Sequence, residues 1–242
     1  MENNLIYIGI VFVLAGLVKG VTGMGLPTIA MGLLALVMKP MDAAALLIVP
    51  SLLTNVWQLM DGSPVYPIMQ RFWPMMIGIC IGTLAGSALF PISTFAAMLL
   101  GLALITYAAL GLSGRRWHTK ENHVIWLSPL MGVVTGLLTS ATGVFMLPAV
   151  PYLQSLDLKK EELVQVMGLS FAVSTVMLAI ALTGHGTWQP TVAAFSLLAQ
   201  IPAMLGMLIG NWLRKRIRPA LFRRYFFIAL LLLGAHMVGK FL

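Results

Sequence analysis

Apolar residues fill most of this chain in long runs, which short polar stretches interrupt. A helix needs about 20 apolar residues to cross a bilayer, and each run is long enough to do so. The runs lie at residues 5–37, 42–60, 72–91, 95–112, 124–156, 161–183, 190–212 and 219–241. This pattern predicts an all-α, polytopic integral membrane protein.

The first and fifth runs are much longer than one crossing, and both contain clustered glycine and proline. The clusters are Gly16, Gly20, Gly23, Gly25 and Pro27 in the first run, and Gly132, Gly136, Gly143 and Pro148 in the fifth. We expect them to break the helix, and backbone groups freed inside a membrane need protein rather than lipid around them. Each run is therefore predicted to be a broken or re-entrant segment whose bend lines a cavity.

The two halves of the chain have the same order of segments, one broken segment followed by three single crossings. Within them, Gly82 lies opposite Pro202, and Gly86 lies opposite Gly206 at the same offset. We predict a duplicated unit joined by a basic, cytoplasmic linker. Its parts are a first membrane repeat at 1–112, the linker at 113–123 and a second membrane repeat at 124–242.

The lysines and arginines favour one arrangement of the broken segments. If each broken segment crosses the membrane once, five of these residues lie on one side of the membrane and nine on the other. If each turns back as a hairpin, they divide as twelve against two, with only Lys39 and Lys240 on the poorer side. The positive-inside rule favours the hairpins, with the basic side cytoplasmic.

A unit of one hairpin and three crossings enters and leaves on opposite faces, so its copy must be inverted. A pair of short spanning helices in place of each hairpin would have the same parity.

The breaks provide most of the candidate substrate-binding residues. Pro27 and Pro148 each suit the first position of a new helix, whose free backbone N–H groups attract anions. The candidates at the breaks are Thr22, Gly23, Met24, Gly25, Thr139, Ser140, Thr142, Gly143 and Val144. The alternative is that these small residues only turn the chain and let helices pack closely.

Lys19 is the one formal charge deep inside an apolar segment, and its counterpart in the second half is the uncharged Thr135. An ionisable group inside a membrane is a functional candidate by default, and Lys19 would attract the same anion as the helix ends. Asn55 joins the candidate set through a polar helix face that it shares with Thr54 and Gln58. The alternatives are that Lys19 extends to an interface and that Asn55 makes ordinary interhelical hydrogen bonds.

Composition excludes several classes of function. A chain with 60% hydrophobic and 9% charged residues is not a soluble globule. Its net charge of +8 lies in short basic runs between apolar segments, which indicate topology rather than nucleic-acid binding. The carboxylates lie only at the ends of apolar segments or in loops, no GxxxxGK[ST] loop is present, and Cys80 is the only cysteine. We therefore predict no catalytic residue, no cofactor and no metal site.

One enzyme class has a superficial match. The Gly168-Leu169-Ser170 stretch and the segment from Ala235 to Gly239 resemble the GxS and AHxxG motifs of rhomboid intramembrane proteases. Phe171 follows the serine, where that family has a small residue. An intramembrane serine protease is kept as a distant alternative.

LVKGVTGMGLPTIAMGLLA at residues 17–35 and GLLTSATGVFMLPAVPYL at 136–153 begin the two halves. With these stretches, the repeat and the basic linker, the chain resembles the TauE/SafE sulfite exporter family of bacterial membrane transporters. The resemblance implies movement of sulfite, sulfonates or organosulfur acids across a bacterial inner membrane. Val144, Phe145 and Met146 stand where a further glycine is common, which implies a less open second hairpin.

Together these observations predict a multi-pass carrier of small anions that works by alternating access. Its expected partners are the anion and the lipid bilayer, with no nucleic acid, and the sequence leaves a homo-oligomer open. A channel, or a transporter of a metabolite without sulfur, is the alternative.

Overall fold

The computed structural model describes residues 2–62, 64–89, 96–114, 118–119, 121–217 and 219–240. Within these ranges the chain forms only helices and the turns between them. The helices are α1 Glu2–Thr22, α2 Leu26–Leu34, α3 Pro40–Met60, α4 Val65–Leu89, α5 Ala96–Ser113, α6 Glu121–Thr142, α7 Ala149–Ser155, α8 Lys160–Gly184, α9 Pro190–Arg214 and α10 Pro219–Gly239.

Eight of these helices are long and apolar enough to cross a membrane, and only α2 and α7 are too short. The prediction of an all-α, polytopic membrane protein is therefore confirmed. Part of the predicted linker, at residues 115–117 and 120, lies outside the described residues.

The two long apolar runs do break, but only at the later glycines of each cluster. Helix α1 continues to Thr22 and α6 to Thr142. The breaks fall at Gly23 and Gly25, with φ of 78° and 99°, and at Gly143, with φ of 69°. This left-handed region is open to glycine at little steric cost and rarely to other residues.

The earlier glycines, Gly16, Gly20, Gly132 and Gly136, lie inside α1 and α6, so the expectation that they break the helices was wrong. They are needed where two backbones come close together.

Helix α1 packs closely against α9 through these glycines. A Cβ atom added at Gly16 would lie 2.1 Å from the Ala203 carbonyl oxygen, and one at Gly20 would lie 2.4 Å from that of Met207. Only residues without a side chain permit this approach. Because the contacts advance together along both helices, α1 and α9 run parallel.

Helices α4 and α6 repeat this arrangement. A Cβ atom at Gly78 would lie 2.3 Å from the Pro129 carbonyl oxygen, and one at Gly82 would lie 2.1 Å from that of Val133. In both cases the first helix of one half packs in parallel on a helix of the other half: α1 packs on α9, and α6 packs on α4.

The same contacts change one predicted correspondence between the halves. A Cβ atom at Gly206 would lie 2.0 Å from the Val13 carbonyl oxygen, as one at Gly82 would lie 2.1 Å from that of Val133. Judged by these packing contacts, the counterpart of Gly82 in the second half is Gly206, which lies one helical turn beyond the predicted counterpart, Pro202. The shift arises because close contact with α1 or α6, rather than sequence offset, decides which glycine is equivalent.

Each broken segment is a helical hairpin with one long and one short arm. The Tyr7 hydroxyl, near the start of α1, donates a hydrogen bond of 2.8 Å to the Leu33 carbonyl near the end of α2. In the second half, the hydroxyls of Ser128 and Tyr152 lie 2.6 Å apart, which joins the start of α6 to α7. Each short helix therefore returns beside the long helix that precedes it.

Helices α3 and α8 cross at the centre of the bundle, in opposite directions. The Gln165 side-chain amide donates to the Leu59 carbonyl at 2.9 Å. Three residues further along α8, a Cβ atom at Gly168 would lie 3.0 Å from the Asn55 carbonyl oxygen, one turn back along α3. Antiparallel equivalent helices are what an inverted repeat requires, and the repeat itself stays a prediction.

We expect Gly206→Ala to destabilise the protein, because the new methyl group would overlap the backbone of α1. Overpacking of this kind costs about 1–3 kcal/mol. Gly9→Ala is the matched control, since a Cβ atom there meets nothing within 4 Å. The measurement is the midpoint of thermal unfolding of each purified variant in detergent. Equal midpoints for the two variants would contradict the close packing of α1 on α9.

The hairpins place Lys39 and Lys159 at opposite ends of the bundle, and both side chains are exposed. In a background where Cys80 is replaced by alanine, we expect Lys39→Cys and Lys159→Cys to react with a membrane-impermeant maleimide from opposite sides. Labelling of intact and inverted vesicles measures this. If both positions react from the same side, the hairpin topology fails.

Candidate functional site

Lys19 lies in the last turn of α1, and its side chain is only 5% exposed. Its ammonium donates a hydrogen bond of 2.9 Å to the Thr54 hydroxyl and another to the Asn55 side-chain oxygen. The lysine therefore points into the bundle against α3 and does not extend to an interface. The structure brings together two of the candidate residues, Lys19 and Asn55, from the first hairpin and the helix that follows it.

The acceptors for Lys19 are fixed by the α3 backbone. The Thr54 hydroxyl uses its only proton in a 2.6 Å hydrogen bond to the Pro50 carbonyl, so its oxygen is left to accept from the ammonium. Asn55 is fully buried, and its side-chain oxygen must face Lys19, because an ammonium can only donate.

Pro50 interrupts the hydrogen bonds of α3 next to this site. Because proline has no N–H, it leaves the Leu46 carbonyl without its helical partner. The Ser196 hydroxyl of α9 donates to that carbonyl at 2.8 Å and accepts from the Val49 N–H at 3.0 Å. The break in α3 is thus closed by a helix of the other half.

The site carries an uncompensated positive charge. Among the described residues, Lys19 is the only buried residue with a formal charge, and the one described salt bridge is the exposed pair His118 and Asp157. A charge held away from water without a counter-ion costs several kcal/mol. An anion next to the ammonium would offset this cost.

The first bend uses its candidate residues to hold the turn. The Thr22 hydroxyl donates to the Val18 carbonyl at 2.8 Å and accepts from the Met24 N–H at 3.2 Å. The expectation that the Met24 N–H is free for an anion was therefore wrong, because the threonine side chain occupies it. Gly23 and Gly25 contribute the left-handed backbone of the turn.

The second bend is built in the same way around Gly143. The Thr142 hydroxyl donates to the Leu138 carbonyl at 2.6 Å and accepts from the Val144 N–H at 3.2 Å. The Val144 N–H is therefore not free either. The repeated threonine before the break acts as a cap for each turn.

Thr139 and Ser140 also bond within their own helix. Their hydroxyls donate to the carbonyls of Thr135 at 2.7 Å and Leu137 at 2.9 Å. A hydroxyl bonded in this way has used its only proton. It can accept a hydrogen bond but cannot donate one to an anion in this arrangement.

Thr139, rather than Thr135, occupies the position of Lys19 in the second half. The Gly143 N–H binds the Thr139 carbonyl at 2.8 Å, as the Gly23 N–H binds the Lys19 carbonyl at 2.7 Å. The predicted counterpart was thus wrong by one helical turn, because the bend sets the register. At this position the first half has a charged residue, Lys19, and the second half has the neutral Thr139.

The short helices begin differently. Pro27 lies in the first turn of α2, close to the predicted first position. Pro148 instead precedes α7 as its N-cap residue, and the helix begins at Ala149. The prediction for Pro148 was therefore displaced by one residue.

The two broken segments contact each other, but their two bends do not meet. The Thr28 hydroxyl of α2 contacts the Met146 sulfur, and Gly143 lies beside the Met31 side chain. The first bend lies elsewhere, with Gly25 packed near the Phe226 ring. The structure therefore does not bring the bend residues of the two halves together.

A cavity of about 320 Å³ lies apart from these residues, between α4 and α6. Arg71, Pro74, Val124, Ile125 and Ser128 line it. It contains none of the predicted site residues.

Ser51 is a polar residue of this region that sequence reasoning did not select. It is 1% exposed and lies one helical turn before Asn55, and its hydroxyl has no hydrogen-bond partner within the described ranges. The spacing of four residues from Asn55 was the signal that could have identified it.

An intramembrane serine protease would use Ser170 and His236 as its catalytic pair. The Ser170 hydroxyl donates to the Val166 carbonyl of its own helix at 2.8 Å, and His236 is exposed on α10. Among the described residues, these two side chains are not hydrogen-bonded to each other, as a catalytic serine and histidine would be.

A family model described as sulfite exporter TauE/SafE matches residues 8–237 of the 242 in the chain. Comparison with curated proteins and with solved structures gave no match. The family match includes both hairpins, the buried lysine and its partners on α3. The chain belongs to the TauE/SafE sulfite exporter family of membrane transporters.

Proposed function

We propose that this protein carries small anions, chiefly sulfur-containing ones such as sulfite, sulfonates or organosulfur acids, across a bacterial inner membrane. The proposed mechanism is alternating access between two inverted halves. The observation that carries this proposal is the buried Lys19 ammonium, which Thr54 and Asn55 hold and which has no carboxylate partner among the described residues.

The charge of the site supports an anionic substrate. Membrane proteins keep ionisable groups inside the bilayer where a substrate, an ion or a partner charge meets them. The described residues give Lys19 two neutral acceptors and no carboxylate. A neutral or cationic substrate would leave the buried ammonium uncompensated, whereas an anion neutralises it.

The joint between the two halves supports a carrier with a closed end. One turn beyond Asn55, the Gln58 side-chain amide donates to the Val164 carbonyl at 2.8 Å. The Gln165 amide donates back to the Leu59 carbonyl at 2.9 Å. These reciprocal bonds join α3 to α8 next to Lys19. In an alternating-access cycle, this joint is proposed to open when the site faces that end.

The proposed sidedness follows from the basic residues. Lys159, Lys160 and the cluster from Arg214 to Arg216 lie at the start of α8 and the end of α9, at one end of the bundle, while Lys39 lies at the other. The positive-inside rule makes the richer end cytoplasmic. The closed joint at Gln58 and Gln165 then faces the cytoplasm.

Proteoliposomes containing the purified protein test this function. We expect saturable uptake of radiolabelled sulfite or of a sulfonate, which an imposed proton or sodium gradient drives above equilibrium. Flux that does not saturate and that no gradient can concentrate would indicate a channel instead. Uptake of carboxylates alone would contradict the preference for sulfur-containing anions.

In the same assay, Lys19→Met is expected to lower the initial rate about 10- to 100-fold, because a hydrogen bond to a charged group contributes about 1.5–3 kcal/mol. Lys240→Met is the matched control. It removes the same charge from an exposed lysine after α10 and should leave the rate unchanged. Normal transport by a membrane-inserted Lys19→Met protein would remove this lysine from the mechanism.

A further inference from the structure

We infer that Ser51, Asn55 and the ammonium of Lys19 together form one donor site for an oxyanion with three terminal oxygens, such as sulfite or the sulfonate head of an organosulfur acid. This inference rests on the proposed function and assigns the atoms that would hold the substrate. It extends the site from a single charge to a set of directed hydrogen-bond donors.

Asn55 supplies a donor that the protein does not use. Its oxygen accepts from Lys19, which fixes the side-chain amide so that the Nδ2 atom points away from the ammonium. The Nδ2 atom is buried and has no hydrogen-bond partner among the described residues. Buried polar groups are nearly always paired, so an orphaned donor next to the buried Lys19 ammonium favours a ligand position.

Ser51 supplies a second unused donor on the same helix face. It lies four residues before Asn55, which places the two side chains one above the other along α3. The Ser51 hydroxyl is also buried, and no group in the described part of the chain bonds to it. Unlike the hydroxyl of Thr54, it is free of any bond to the helix backbone.

Lys19 completes the set. An ammonium has three N–H donors, and the hydrogen bonds to Thr54 and Asn55 use two of them. The third is available to a substrate oxygen. The site therefore offers one charged and two neutral donors from two helices.

The number and type of these groups select the ligand chemistry. Three donors, one of them charged, suit a fully ionised group, which only accepts hydrogen bonds. Three donors match in number the three oxygens of sulfite or of a sulfonate. A carboxylate has only two oxygens, so one of them would have to accept from two of the three donors, which is a poorer geometric match.

Methanesulfonate and acetate form a matched pair of probes, because both join one methyl group to one ionised oxyanion. The full-length purified protein is titrated with each probe and with sulfite, and the shift in thermal unfolding midpoint reports the apparent Kd. We expect the wild-type protein to bind sulfite and methanesulfonate more tightly than acetate. Ser51→Ala should weaken binding of the first two about tenfold and change that of acetate less.

Asn55→Asp tests the second donor without changing the shape of the side chain. The new carboxylate removes the N–H donors and forms an ion pair with Lys19, so binding of all three anions should be lost while the protein stays folded. Thr83→Val is the control, since it removes a buried hydroxyl without a partner on α4, where Thr83 packs near Gly136. It should bind the probes as the wild type does.

The outcomes separate this inference from the proposed function. Wild-type affinity for sulfite in Ser51→Ala or Asn55→Asp would overturn the donor site and leave transport standing. Binding that follows the expected pattern in a protein that moves no anion in proteoliposomes would overturn transport alone. A wild-type protein that binds none of the three probes would overturn the inference, even if it transports another anion.

Discussion

The buried ammonium of Lys19 is the constraint on which the rest of this account depends. It is held by two neutral oxygens of α3, and the described chain offers it no carboxylate. Such a charge costs several kcal/mol unless a counter-ion joins it, and only a protein-lined interior makes the arrangement tolerable within a membrane. The buried charge explains why an anion is the expected cargo, and the donors beside it explain why that anion should carry several oxygens.

The fold can surround this lysine because the two hairpins let helices from opposite halves pack against each other. Glycines at Gly16 and Gly82 bring backbones close enough for α1 to pack on α9 and α4 on α6. The short arm α2 returns the chain so that α3 can pass beside the end of α1, where Thr54 and Asn55 meet Lys19. Each half thus contributes helices whose main packing partners belong to the other half, which suits a carrier that moves its halves relative to each other.

The sequence predicted the number of long helices, the two breaks and Lys19 as the central charge, because hydrophobic length and an isolated charge are strong signals. It could not tell which glycines bend the chain, since glycine serves a bend at Gly143 and close packing at Gly136 equally well. It also assigned free amides to the bends, where Thr22 and Thr142 in fact cap them. Contacts between distant residues depend on the hairpin register, which periodicity alone does not contain.

The most direct test is a crystal structure of the protein soaked with selenite, whose selenium gives an anomalous signal at the position of the oxyanion. The account predicts a peak with its oxygens within about 4 Å of the Lys19 ammonium, the distance of an ion pair, beside Ser51 and Asn55. A peak found only at exposed arginines of the basic end, with the Lys19 site empty at saturating selenite, would contradict it.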